Sequence, residues 1–199
     1  MSASSRKLLA VGGVVESALV TALVAVVPAH DAAASVYLST DAALRGLFPQ
    51  ASSFEETPLS LSEEQRKQVE QLAGPQAPHG ALRVWKVLDT EQKIIGHVFI
   101  DEVVGRQDFI TYAVGIDAVG KLRPVEVLEY RESHGGEIRN KRWLAQFDGR
   151  TSPQQLRFGL DIKNIAGATL SSEHVTAGVR RILAVWQTGL APGAPSPAQ

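Results

Sequence analysis

The chain has 199 residues, enough for one compact body with a core of its own but cramped for two full domains. Its 44% hydrophobic and 21% charged residues match ordinary globular usage, and a formal net charge of -1 gives no global electrostatic reason to bind nucleic acid. With no cysteine, the sequence excludes disulfides, thiolate metal sites, iron–sulfur clusters, covalent c-type haem and a cysteine nucleophile.

Residues 1–34 read as a targeting segment. Arg6 and Lys7 precede a run from Leu8 to Val27 that is apolar except for Glu16, Ser17 and Thr21. Pro28 closes it, and Ala32-Ala33-Ala34 is a small-residue cleavage pattern ahead of Ser35. A retained membrane anchor is the competing reading, because the run has about the ~20 residues a spanning helix needs. Glu16 weighs against it, since an acidic group near the centre of such a helix costs roughly 2.5–3.5 kcal/mol. Either reading puts the remainder outside the cytoplasmic membrane.

The folded body is expected over residues 35–190. Thr40 or Asp41 can cap a short helix carrying Ala42, Leu44, Leu47 and Phe48, ended by Pro49. Ser62 with Gln65 is a capping-box signature that opens a second helix through Leu72, stopped by Gly74-Pro75. Strand character follows over Leu82–Leu88, Lys93–Val104, Phe109–Ile116 and Leu122–Tyr130, separated by three short turn-prone segments. Connections that short favour an antiparallel meander, since parallel pairs need crossovers of a dozen or more residues. A Gly-Gly loop, a short helix around Trp143 to Phe147 and a last helix from about Ser172 to Gln187 complete an α+β fold, an antiparallel sheet with a C-terminal amphipathic helix packed on it. In that helix Val175, Val179, Ile182, Leu183 and Trp186 form one apolar stripe, and Glu173, Arg180 and Arg181 lie off it, where solvation is expected. Residues 191–199, rich in Pro, Gly, Ala and Ser, are expected to be disordered.

The informative stretch precedes the last helix: Ile165-Ala166-Gly167-Ala168-Thr169-Leu170-Ser171-Ser172. Small residues permit close backbone approach, Thr169 presents a hydroxyl, and the unpaired N–H groups and dipole of a helix start make a phosphate seat. Ser171 or Ser172 would cap the helix, and their hydroxyls could also donate to a phosphate. On these residues alone a capped helix after a tight turn is the favoured reading. The five histidines show no metal-ligand spacing, and no nucleophile elbow, P-loop or dinucleotide fingerprint occurs. The adjacent pairs Glu55-Glu56 and Glu63-Glu64 read as solvated surface.

The run ending in Gly167-Ala168-Thr169-Leu170-Ser171-Ser172 resembles the Ser-Gly-Ala-Thr-x-(Thr/Ser)-Ser signature of the FMN-binding domain family, known from the covalent-flavin subunits of the sodium-pumping NADH:quinone reductase and the Rnf complex. Glu132-Ser133-His134-Gly135-Gly136-Glu137-Ile138 is similar to a degenerate form of the family's Glu-Thr-Pro-Gly-Leu-Gly loop. The resemblance extends in pattern over Val84 to Gln187. It implies FMN as cofactor, ester-linked through its phosphate to the hydroxyl of Thr169 by a flavin transferase outside the cytoplasmic membrane. It also implies that Gly135 and Gly136 border the isoalloxazine ring, with Glu132 or His134 as polar neighbours. For Trp143 and Phe147, at i and i+4, ordinary helix packing is the expectation. Two positions depart from the family pattern: Lys163 stands where it has Asp, with Asp161 displaced two residues upstream, and Ala166 replaces Ser or Thr. The implied function is a periplasmic or membrane-face flavoprotein that exchanges electrons with membrane electron-transfer proteins. A non-covalent FMN binder, or a non-redox binding or scaffold domain that has lost flavin, are the alternatives.

Overall fold

The computed structural model describes residues 35–131 and 135–194. Residues 1–34, expected from the sequence to be a targeting segment, residues 132–134 with Glu132 and His134, and residues 195–199 lie outside the described residues. The elements, in chain order, are β1 (Ser35–Val36), α1 (Thr40–Leu47), β2 (Ser53–Thr57), α2 (Glu63–Ala73), β3 (Arg83–Leu88), β4 (Ile94–Val104), β5 (Phe109–Asp117), β6 (Leu122–Tyr130), α3 (Lys141–Leu144) and α4 (Thr169–Val185). A short 3-10 turn over Gly136–Arg139 precedes α3, another over Pro153–Gln155 follows it, and a π turn over Trp186–Leu190 extends α4.

Six strands form one sheet in the order β1-β6-β5-β4-β3-β2, and every pairing is antiparallel. The four expected strands are its consecutive meander. The two edge strands were not foreseen: β1 is only two residues long, and β2 is Ser-Phe-Glu-Glu-Thr, too polar for an apolar alternation to show. Aspartates close two of the three expected turns. Asp89 Oδ1 accepts from the N–H groups of Glu91 and Lys93 between β3 and β4, and Asp117 Oδ1 accepts from Val119 and Lys121 between β5 and β6.

The sheet is covered on both faces. On one, Val84, Phe99, Ile110, Tyr112, Val114 and Val125 pack against α4, with α2 and α3 beside it. On the other, Trp85, Val87, Val98, Ile100, Ala113 and Leu128 pack against α1. Phe48 sets how closely that second layer approaches. A Cβ on Gly96 would lie 2.6 Å from its ring and one on Gly115 3.0 Å, so neighbouring strands leave a slot for the ring by omitting two side chains. Double coverage explains why β4 and β5 carry near-continuous buried runs.

Helix α2 begins at Glu63 under a complete Ser62–Gln65 capping box, as its sequence requires. The N-cap of α1 is Ser39, one residue before the expected Thr40, because only Ser39 Oγ reaches the N–H of Ala42. All five stripe residues are buried, four in α4 and Trp186 in the π turn that extends it. Arg181 is buried too, against expectation: at 8% exposure it pairs with Asp101 of β4 across the helix–sheet interface.

Candidate functional site

Helix α4 starts at Thr169, three residues before the expected position. The N-cap is Ala168, with no side-chain cap hydrogen bond, so neither Ser171 nor Ser172 caps the helix. Gly167 explains the early start. Its φ of +86°, accessible to glycine without strain, turns the chain sharply, and Ala168 N–H closes the turn onto the Ile165 carbonyl at 3.0 Å. Ser172 is buried inside the second turn, donating to the Thr169 carbonyl at 2.9 Å, and at 3.4 Å its oxygen accepts the Ile165 N–H. It thus binds the loop to the helix.

This geometry leaves the N–H groups of Thr169, Leu170 and Ser171 without backbone acceptors among the described residues, while Ser172 N–H takes the Ala168 carbonyl. They open a helix of 17 residues. Thr169 and Leu170 are exposed, as are Ala166 and Gly167 ahead of them, and Ala168 is buried. Nothing lies within 4 Å of where a Cβ on Gly167 would sit, so the outer side of the turn is open. The arrangement offers an accessible hydroxyl beside three convergent donors at the positive end of a helix dipole, the environment an anion requires.

The glycine loop meets this helix start. Gly135 adopts φ +90°, and a Cβ there would lie 2.7 Å from the Tyr130 hydroxyl and 3.3 Å from Ala168 Cβ. The two segments that carry the family resemblance, 33 positions apart at Gly135 and Ala168 in the sequence, are therefore neighbours in space. The Arg139 guanidinium, which stacks on the Tyr37 ring at 4.0 Å, lies 3.5 Å from where a Cβ on Gly136 would sit and supplies a cation to that loop.

Trp143 and Phe147 are buried, with ring centroids 5.2 Å apart at 77°, and act as core. Trp143 has a positioning role as well. Its Nε1–H donates to the Lys163 carbonyl at 2.6 Å, and Gln146 Oε1 accepts the Lys163 N–H at 2.9 Å, so α3 and the turn after it hold the segment leading to Thr169. The Lys163 side chain is exposed. Asp161 is committed to Arg157, whose guanidinium (2.7 Å) and backbone N–H (3.0 Å) hold its carboxyl down at about 2. It closes a local turn rather than serving as a free acid. His174, one turn beyond Leu170, is half-buried with its Nδ1 against the Val104 carbonyl, and exposed Val104, Phe109 and Leu170 put apolar surface on this end of the molecule.

Sequence reasoning missed the buried group formed by Asp101, Tyr112 and Arg181. Asp101 Oδ1 takes Arg181 Nη2 and Oδ2 takes the Tyr112 hydroxyl, each at 2.7 Å. Burial raises the Asp101 carboxyl, opposed by the attraction of Arg181, and burial also drives the Tyr112 phenol well up. The overlooked signal was an aspartate on the core face of an apolar strand, which demands a buried cation, together with Gly178 inside the helix that faces it.

Residues 105–184 match the model of the FMN-binding domain family. The match takes in β5, β6, the glycine loop, α3, Thr169 and nearly all of α4, and bears out the resemblance seen in the sequence. It begins after β4, so the span from Val84 to Val104 that the resemblance was read to include falls outside it. No curated protein matches the chain.

Proposed function

Because its residues 105–184 match the model of the FMN-binding domain family, we propose that this chain carries FMN ester-linked to Thr169 Oγ1, outside the cytoplasmic membrane, and passes electrons within a membrane-associated redox chain. The observation that carries this reading is the exposed Thr169 hydroxyl at the first position of α4, ahead of three N–H groups that lack backbone acceptors.

The residues present fit the group. Ester formation takes the hydroxyl proton from Thr169 and expels a leaving group from the FMN donor, so the residue must be open to a flavin transferase, and Thr169 is exposed. The linked phosphodiester bears one negative charge, which the helix terminus stabilises by roughly 0.3–1 kcal/mol, and about 2 where partly buried. Gly167 leaves the outer side of the turn free, Gly135 brings the second loop against Ala168, and Arg139 adds a cation. When bound, the flavin supplies the electron-accepting and electron-donating chemistry. The protein holds the phosphate, and exposed Val104, Phe109 and Leu170 lend apolar surface for an aromatic group or a redox partner.

The test is the intact mass of the full chain co-expressed with a family flavin transferase. A gain of one FMN less one water, resistant to acid precipitation and absent from Thr169→Ala, is the expected result. Yellow colour that acid strips identifies a non-covalent binder, and a colourless protein identifies a binding or scaffold domain. An N-terminus at Ser35 establishes export with cleavage and one at Met1 or Ser2 an anchor, whereas recovery of the chain from the cytoplasm refutes the location.

A further inference from the structure

The chain enters its folded body at the same rim of the sheet that carries Thr169. Ser35 opens β1 by pairing with Tyr130 at the end of β6, and Val104, ending β4, pairs with Phe109, opening β5. His174 Nδ1 meets the Val104 carbonyl and Gly135 adjoins Ala168, so the start of α4 closes this rim. Five of the eight large apolar side chains exposed among the described residues stand here: Val36, Tyr37, Val104, Phe109 and Leu170. The opposite rim carries two, Ile94 and Val119.

The five come from both sides of the sheet. Val36 shares a face with Glu129, Thr111 and Glu102, and Val104 and Phe109 follow on that face, beyond the part that α1 covers. Leu170 belongs to the helix on the other face. A protein groove would have to straddle the rim to cover both sets, whereas a flat apolar medium meets them together. Charge does not favour an anionic surface, because Arg106, Arg131 and Arg139 stand against Glu102, Asp108, Glu129 and Glu137, with Arg131 paired to Glu129 at 2.9 Å. Tyr37, with the Arg139 guanidinium on its ring, has the apolar body and polar tip of a side chain that settles at a lipid–water interface. Only seven residues, 28–34, separate the apolar run of residues 8–27 from Ser35, so a chain held by that run keeps lipid within reach of this rim.

We propose that this rim rests on the uncharged part of a phospholipid surface, with Val36, Val104 and Phe109 entering the boundary between headgroups and acyl chains and Thr169 held beside the membrane. The contact depends on the proposed location outside the cytoplasmic membrane and not on the flavin ester.

The test uses the full chain, free of cysteine and without flavin, in phosphatidylcholine vesicles whose lipid carries a doxyl quencher at the top of the acyl chains. A bimane fluorophore is attached at Phe109→Cys or, roughly 30 Å away along β5, at Val119→Cys. The label at Phe109→Cys should lose most of its emission and that at Val119→Cys none, because an interfacial contact buries side chains only ~5–10 Å deep. Adding Val104→Asp, at an exposed position, should restore the Phe109→Cys emission with urea unfolding unchanged, and high salt should not. Equal quenching at both labels means unspecific adsorption, quenching at neither leaves the rim to a protein partner, and release by salt means headgroup attraction. Each of these overturns the proposal, as does quenching that survives Val104→Asp. A flavin mass at Thr169 alongside any of them leaves the proposed function standing.

Discussion

His97 makes the protein's stability depend on pH in a window where few other groups act. It sits on the core face of β4, 6% exposed, and its Nδ1 accepts the Trp186 indole N–H at 3.3 Å. That bond requires an unprotonated Nδ1. Burial, and secondarily the Lys86 ammonium on the paired position of β3, lower the imidazole from 6.5 to about 4. The unfolded chain therefore takes up a proton near pH 6.5 that the folded chain refuses until near pH 4. Stability contributed by the neutral ring is complete above pH 6.5 and is lost as pH falls through that window. Each pKa unit is worth about 1.4 kcal/mol, so the loss reaches about 2 kcal/mol by pH 5. Asp161, held down at about 2, loses its contribution only below the ordinary carboxylate range, and Asp101, raised by burial, acts with the opposite sign. His97→Gln removes the titration and keeps an acceptor for Trp186. Urea unfolding followed by tryptophan fluorescence at pH 7.5, 6 and 5 should show the unaltered chain losing about 2 kcal/mol more than His97→Gln. Identical losses would refute a buried neutral imidazole.

Three further outcomes are expected. Thr169→Ala should abolish covalent flavin and its in-gel fluorescence while moving stability by less than about 0.5 kcal/mol, because the side chain is exposed; retained covalent flavin would remove Thr169 as acceptor. Gly178→Ala should destabilise by about 3 kcal/mol in the same urea assay, since its Cβ would meet the Tyr112 hydroxyl far inside contact distance, and Tyr112→Phe should recover part of that loss; a neutral Gly178→Ala would contradict the helix–sheet approach. Lys163→Asp should speed flavinylation by a typical family transferase in a co-expression time course, with folding unchanged, because Lys163 is held through its backbone and its side chain is exposed; equal rates would make the lysine a neutral surface residue.

What was legible in the sequence follows from how many constraints each residue obeys locally. The capping box at Ser62–Gln65, the turns between the meander strands and the apolar stripe of the last helix are satisfied within a few positions, and all appear as read. The start of α4 was misplaced because serines are good caps in general, whereas Gly167 at φ +86° turns the chain early enough for Thr169 to take the first helical position. That shift bears on the proposed function. A threonine in the loop would have presented its hydroxyl apart from the helix donors, but at the first position it stands beside them, and an ester there carries its phosphate to the N–H groups of Thr169, Leu170 and Ser171. The meeting of Gly135 with Ala168 was not legible at all, because only the sheet and α3 decide that these loops touch. Nor was the burial of Arg181. Helical periodicity places it off the apolar stripe, and only the register of β4 brings Asp101 beneath it and forms the buried ion pair.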